Sequence, residues 1–188
     1  MNVEVRSTTR DDVRAIADMQ LASWPSEYDG IAPRERIVNQ SVERRVAAVA
    51  RQLGYADKDD PNASGRPGPV ESPESIESFV AVDDRHFVVG HAVITRAGGE
   101  LVSLVVHPEA RTQGVGRALV GHAEHVWRDA GLSTGTAWVI QANANACRFY
   151  EALGWAADGA ERLHRGGPPP LFGLAVPERR YARSLIRR

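Results

Sequence analysis

Val105-Val106-His107-Pro108-Glu109-Ala110-Arg111-Thr112-Gln113-Gly114-Val115-Gly116-Arg117 is an apolar strand that runs into a glycine-bearing loop and then into a helix. Such a junction is an anion site. The first N–H groups of a helix have no acceptor within it, its dipole favours negative charge, and glycine lets the backbone come close to a phosphate. Arg111 and Arg117 add charge-assisted donors. A bare Gly-x-Gly is by itself only a glycine-capped turn. A dinucleotide fingerprint needs a third small residue where Leu119 stands, and a phosphate loop of the NTPase kind needs Gly-Lys-Ser/Thr, which is absent.

Outward from this run the periodicities predict alternating strands and helices. Upstream, Leu101 to Val106 is apolar enough for a central strand, and Phe79–Val82 with Phe87–Ile94 reads as a hairpin turning at Asp83-Asp84-Arg85. Downstream, Val115, Ala118, Leu119, Ala123, Val126 and Trp127 share a helix face that ends at Gly131. A strand at Ala137–Ile140 and a short helix at Asn143–Leu153 follow, then strands around Ala160–Arg165 and Leu171–Leu185. Near the start, Val3–Arg6 alternates like a strand, and Thr9 with Asp12 opens a helix that aligns Val13, Ile16, Ala17, Leu21 and Trp24. Pro25–Pro33 reads as a loop, and Val38, Val42, Val46, Val49 and Leu53 as one further amphipathic helix. Residues 56–77 lose all hydrophobic period and are expected to be a flexible loop within a single domain spanning 1–188.

Composition narrows the function classes. Net charge is −1 with both signs interspersed, which argues against nucleic acid as a partner. The charged start and the lack of a long apolar run predict a cytoplasmic chain without a membrane span. One cysteine, Cys147, forms no internal disulfide, and the histidines lack metal-ligand spacing, so no metal is expected. His122 and His125, three apart on a helix, read as an exposed face. Lys58 is the only lysine, a bias expected of a GC-rich bacterial genome.

With the second block the text resembles the GNAT superfamily of N-acetyltransferases. Arg111–Gly116 fits its Arg/Gln-x-x-Gly-x-Gly/Ala loop. Asn143-Ala144-Asn145-Ala146-Cys147-Arg148-Phe149-Tyr150-Glu151-Ala152-Leu153-Gly154-Trp155 is similar to its Asn-x-x-Ala-x-x-aromatic-Tyr-Glu-x-x-Gly-aromatic helix. The likeness is specific over residues 77–160. Ala22-Ser23-Trp24 with Tyr28, Ser41–Arg45 and Val176–Tyr181 extend it toward a bacterial stand-alone branch.

The resemblance implies an α+β fold whose mixed central sheet, flanked by helices, splays between its two central parallel strands. Acetyl-CoA is the implied cosubstrate and an amine, small-molecule or peptide, the acceptor. Leu104, Val105 and Val106 are expected to pair with the pantetheine arm, with Asn143 adding a hydrogen bond. Arg111, Thr112, Gln113, Gly114, Val115, Gly116 and Arg117 are expected at the pyrophosphate, with Thr112 where glycine is common. Tyr150 is the implied acid for the leaving thiolate. Glu100 or a water relay is the implied base, since the glutamate some members carry on the next strand is Trp138 here. Trp24 and Tyr28 are expected to wall the acceptor cleft. Two other functions stay open: a non-catalytic acyl-CoA-binding or sensory module, and an enzyme acting on a protein amine. An exposed sheet edge is compatible with a homodimer.

Overall fold

The computed structural model describes residues 2–55, 76–164, 166 and 169–186. Seven strands form one sheet: β1 (Val3–Ser7), β2 (Ile76–Asp83), β3 (Val88–Thr95), β4 (Glu100–Val106), β5 (Thr134–Ile140), β6 (Ala156–His164) and β7 (Val176–Ser184). Their order is β1-β2-β3-β4-β5-β7-β6. The β4–β5 pair is parallel and the other neighbours are antiparallel. Helices α1 (Val13–Glu27), α2 (Arg34–Val38), α3 (Val42–Gln52), α4 (Val115–Asp129) and α5 (Ala144–Ala152) complete the described elements with three short 3-10 turns. This is the expected mixed α+β architecture, with the splay in the expected place. β4 meets β5 only at Glu100↔Thr136 and Leu101↔Ala137, and a bulge leaves Val102 outside the β3–β4 register.

Alternation along the strands makes two cores. Phe79, Ala81, Ala92, Ile94 and Leu101 face α4 and α5, while Val80 and Val82 face Val13, Ile16 and Ala17 of α1 and Val49 of α3. α4 lies close to the sheet because Gly90 carries no side chain: a Cβ there would stand 2.7 Å from Val115 Cγ1 and 2.8 Å from Leu119 Cδ1. Gly135 likewise makes room for the Trp127 ring, 2.7 Å from a Cβ placed there.

Three sequence expectations shift. α1 continues through Pro25 to Glu27, where a loop is expected. Proline removes the N–H that would otherwise donate to Leu21 O, but the helix closes past it, with Tyr28 N donating to Trp24 O at 2.9 Å. Val38 ends the separate α2, and α3 starts afresh where Ser41 Oγ accepts from Arg44 N at 3.3 Å. The loop expected at 56–77 lies outside the described residues through 75, and Ile76 and Glu77 open β2.

The start of α1 is held by Asp12, whose carboxylate accepts from Arg6 Nη1 and Nη2 at 2.7 and 2.8 Å and from Thr9 N at 2.8 Å. The Arg6 hydrogen bonds hold its pKa down at about 2, below the ordinary 3.8. A depressed carboxylate stabilises the fold above its unfolded pKa, and the effect fades as pH falls toward the folded value. Denaturant titrations should show Asp12→Asn about 2 kcal/mol less stable at neutral pH, with the gap closing between about pH 4 and 2.

Candidate active site

Beyond Leu101 the β5-facing backbone of β4 has no ladder partner, so Leu104, Val105 and Val106 pair only with Ala92, His91 and Gly90 of β3. α1 closes over the upper end of this gap. Ser23 Oγ donates to Val106 O at 3.2 Å, and Arg111 Nε donates to the same oxygen at 3.4 Å.

From Val106 the chain passes through the Pro108–Ala110 turn into the loop before α4. Gly114, the N-cap, takes a left-handed φ of 89°, and the first helical bond is Ala118 N to Gly114 O at 3.0 Å. Among the described residues, the amides of Thr112, Gln113, Gly114, Val115, Gly116 and Arg117 donate to no protein acceptor. Six free donors at the start of a 15-residue helix form an anion-binding concavity. The side chains do not all follow the expectation. Arg111 turns away to α1, donating from Nη1 to Ser26 Oγ at 2.6 Å and from Nη2 to Glu27 Oε1 at 3.4 Å, and its own N–H donates to Pro108 O at 3.3 Å, so both its side chain and its amide are engaged within the protein. Gln113 Nε2 donates to Glu109 O at 2.7 Å, whereas Arg117 is exposed. Thr112 has a φ of 61°, a left-handed conformation that costs a β-branched residue and explains why glycine suits this position.

Across the gap, Asn143 caps α5 by accepting from Ala146 N at 3.0 Å, and its Nδ2 donates to Glu27 O at 3.4 Å. Tyr150 is 7% exposed. Its ring stacks on Tyr181 (centroids 5.7 Å, 26°) and meets Trp155 edge-on at 5.5 Å. Burial pushes the phenol's pKa well up, so the hydroxyl keeps its proton at neutral pH and is a donor. No described residue bonds that hydroxyl.

Glu100 is half-buried where β4 and β5 still pair, its N–H on Thr95 Oγ1 at 3.1 Å. It lies six residues, roughly 20 Å along an extended strand, from Val106. Trp24 is 2% exposed, with the Tyr28 ring centroid 6.3 Å and the Arg45 guanidinium 5.1 Å from its ring centroid. Tyr28 is half-buried, with its pKa raised chiefly by burial. Trp138 carries Arg162 4.2 Å and Arg180 5.7 Å from its ring centroid. Cys147 is half-buried, and no metal-binding group of His, Cys, Asp and Glu occurs among the described residues. No described helix is long and apolar enough to cross a membrane.

Sequence reasoning passed over Glu27. It falls in text that reads as a loop, and no periodicity marks it. Folding places its carboxyl between α1 and Arg111, where burial pushes the pKa up to about 7 against the lowering effect of that guanidinium.

A sheet parted between two parallel strands, with an amide-lined anion loop at the end of one and a buried phenol on the helix after the other, defines a split-sheet fold of the acyltransferase type. The chain belongs to the acetyltransferase (GNAT) family, whose model matches residues 44–155. It is 34% identical over 100 residues to the peptidyl-lysine N-acetyltransferase YjaB of Salmonella typhimurium, a match covering 53% of this chain and 64% of that protein. It is 27% identical over 158 residues to the uncharacterized N-acetyltransferase YuaI of Bacillus subtilis, over 80% of this chain and 78% of that one. The solved PaiA N-acetyltransferase of Thermoplasma acidophilum, in complex with coenzyme A, is similar in fold, with a TM-score of 0.65 over 96% of this chain and 98% of that chain at 18% identity.

The two left-handed residues of the loop give substitutions of opposite sign. Thr112→Gly relieves ~1–2 kcal/mol of left-handed strain and costs ~0.5–1 kcal/mol of chain entropy, so melting should rise slightly. Gly114→Val imposes that strain and should lower it. A lower melting point for Thr112→Gly contradicts the strain.

Proposed function

We propose that this protein transfers an acetyl group from acetyl-CoA to a primary amine, directly within a ternary complex. The observation that carries the reading is the gap itself: beyond Leu101 the side of β4 that faces β5 has no ladder partner, and it leads straight to six unpaired amides at Thr112–Arg117. A pantetheine arm carries amides that can continue a strand ladder, and a pyrophosphate matches the amide cluster. The family and the coenzyme A complex of the similarly folded PaiA protein support this occupant.

When bound, acetyl-CoA supplies a thioester whose carbonyl carbon an amine can attack, with the carbon–sulfur bond breaking as the carbon–nitrogen bond forms. The residues of this chain then manage two protons. Tyr150, kept protonated by burial, donates to the departing sulfur. A carboxylate takes the proton that the amine must lose, since an amine with a pKa near ~10 is mostly charged at neutral pH. Glu100 fills this role by resemblance. Glu27 competes for it on geometry, because its carboxyl sits at the mouth of the gap with a pKa of about 7, the range suited to a general base. The second reading of the acceptor, a peptidyl lysine, is favoured by the name of the YjaB relative.

Thiol release from acetyl-CoA, screened against small amines, polyamines and short peptides, tests the activity. With an acceptor found in this way, Tyr150→Phe should keep the fold and lower kcat by ~10²-fold, because the hydroxyl acts on charge that develops in the transition state. Acetyl-CoA affinity should change by no more than about tenfold. Equal losses in binding and turnover would make the hydroxyl an anchor instead.

The pH profile separates the two carboxylates. A base works deprotonated, so kcat/KM should rise through an apparent pKa of about 7 and then level off. Glu27→Gln should erase that inflection, while Glu100→Gln keeps it. The reverse result assigns the proton to Glu100.

A further inference from the structure

Arg45 is a half-buried cation without an anionic partner among the described residues. It reaches from α3 toward the sheet, where its Nε donates to the buried Gln20 Oε1 at 2.6 Å and its guanidinium lies 5.1 Å from the Trp24 ring centroid. Both partners are neutral. Burial lowers its pKa to about 10, which leaves it charged at neutral pH. The arginines that lie over Trp138 are by contrast compensated: Arg162 of β6 holds Glu178 at 2.7 Å and Arg180 of β7 holds Asp158 at 2.6 Å. A buried charge without a counter-charge is costly, so its retention calls for a partner that arrives from outside.

A second polar mismatch lies in the same layer. His91 is 1% exposed and stands opposite Val80 of β2 and Val105 of β4, on the sheet face that α1 and α3 cover. Its Nε2 is hydrogen-bonded to Ser78 Oγ at 2.9 Å, but its Nδ1 is buried with no partner. Burial and the nearby charge of Arg45 keep the ring neutral, with a pKa of about 4. Orphaned buried polar atoms are rare in native proteins and mark places where a ligand or water completes the network.

The position of Arg45 suits an acceptor. Gln20 and Ser23 are three residues apart on α1, so their side chains are neighbours at about 5–6 Å. Ser23 bonds Val106 O at the edge of the gap. The guanidinium is thereby linked through Gln20 and Ser23 of α1 to the strand edge assigned to the pantetheine arm.

We infer that Arg45 anchors a carboxylate carried by the acceptor, which makes the substrate class amines that also bear a carboxylate, amino acids and their relatives. This rests on the acetyl-transfer reading for the reaction but not for the binding site. The uncompensated charge is one, which matches a carboxylate better than a doubly charged phosphate. The planar guanidinium also suits two-point recognition of that group.

The test compares free L-amino acids with their carboxamides, which differ at the proposed anchor and retain the amine. Thermal shifts in the presence of coenzyme A, where no acetyl group can move, report binding. Thiol release from acetyl-CoA reports turnover. Wild type should bind the best acid at least tenfold more tightly than its amide. Arg45→Met should abolish that preference, whatever its effect on the melting point, and Arg45→Lys should keep part of it. Equal binding of acid and amide by wild type overturns the proposal, whatever the variants do. So does an Arg45→Met protein that melts lower yet keeps the preference, the outcome for an arginine that only packs on Trp24. If acids bind through Arg45 but no amine is acetylated, the anchor stands and the acetyl-transfer reading falls.

Discussion

The two-residue contact between β4 and β5 is the constraint on which the rest depends. A parallel pair in the middle of a sheet would ordinarily satisfy its backbone along its whole length. Here pairing stops after Leu101 and Ala137, and unpartnered backbone is left facing an opening. The bulge at Val102 turns β4 where the separation begins. On its other side β5 remains fully paired to β7 from Thr134↔Ser184 to Ile140↔Glu178, so the opening is confined to one joint.

The open end of that joint is organised by the last turn of α1. Ser23 reaches Val106, Ser26 and Glu27 receive Arg111, and the carbonyl of Glu27 accepts from Asn143. One short stretch thereby touches the end of β4, the start of the amide loop and the cap of α5. Residues expected to serve one ligand each are bound into a single network in the free protein. Glu27 acquires its shifted acidity from that enclosure.

Much of the fold is legible in the sequence because periodicity reports burial. The faces of α1, α3 and α4 and the strands β2 to β5 follow from apolar spacing, and the amide loop follows from Gly114 and Gly116 between an apolar strand and an amphipathic helix. What escapes depends on contacts between residues distant in sequence. Nothing local says that the guanidinium of Arg111 turns to α1, that Glu27 is enclosed, or that Arg45 lies over Trp24. Pro25 misleads for a different reason: proline usually ends a helix, but here one hydrogen bond is given up and the helix runs on to Glu27. Resemblance supplies the roles of Tyr150 and Glu100, and only the structure shows that one is deeply buried while the other stands where the strands still touch.

Trp127 has a mechanical consequence. With so few hydrogen bonds between β4 and β5, the sheet is two panels, β1 to β4 and β5 with β7 and β6, joined along a narrow seam. The indole of Trp127 straddles that seam from the α4 side, donating to Thr95 O of one panel at 3.0 Å while its ring fills the space over Gly135 of the other. It acts as a spacer behind a hinge. The angle between the panels, and with it the width of the opening on which every proposed ligand contact relies, is set by the bulk of one aromatic ring that is wholly buried.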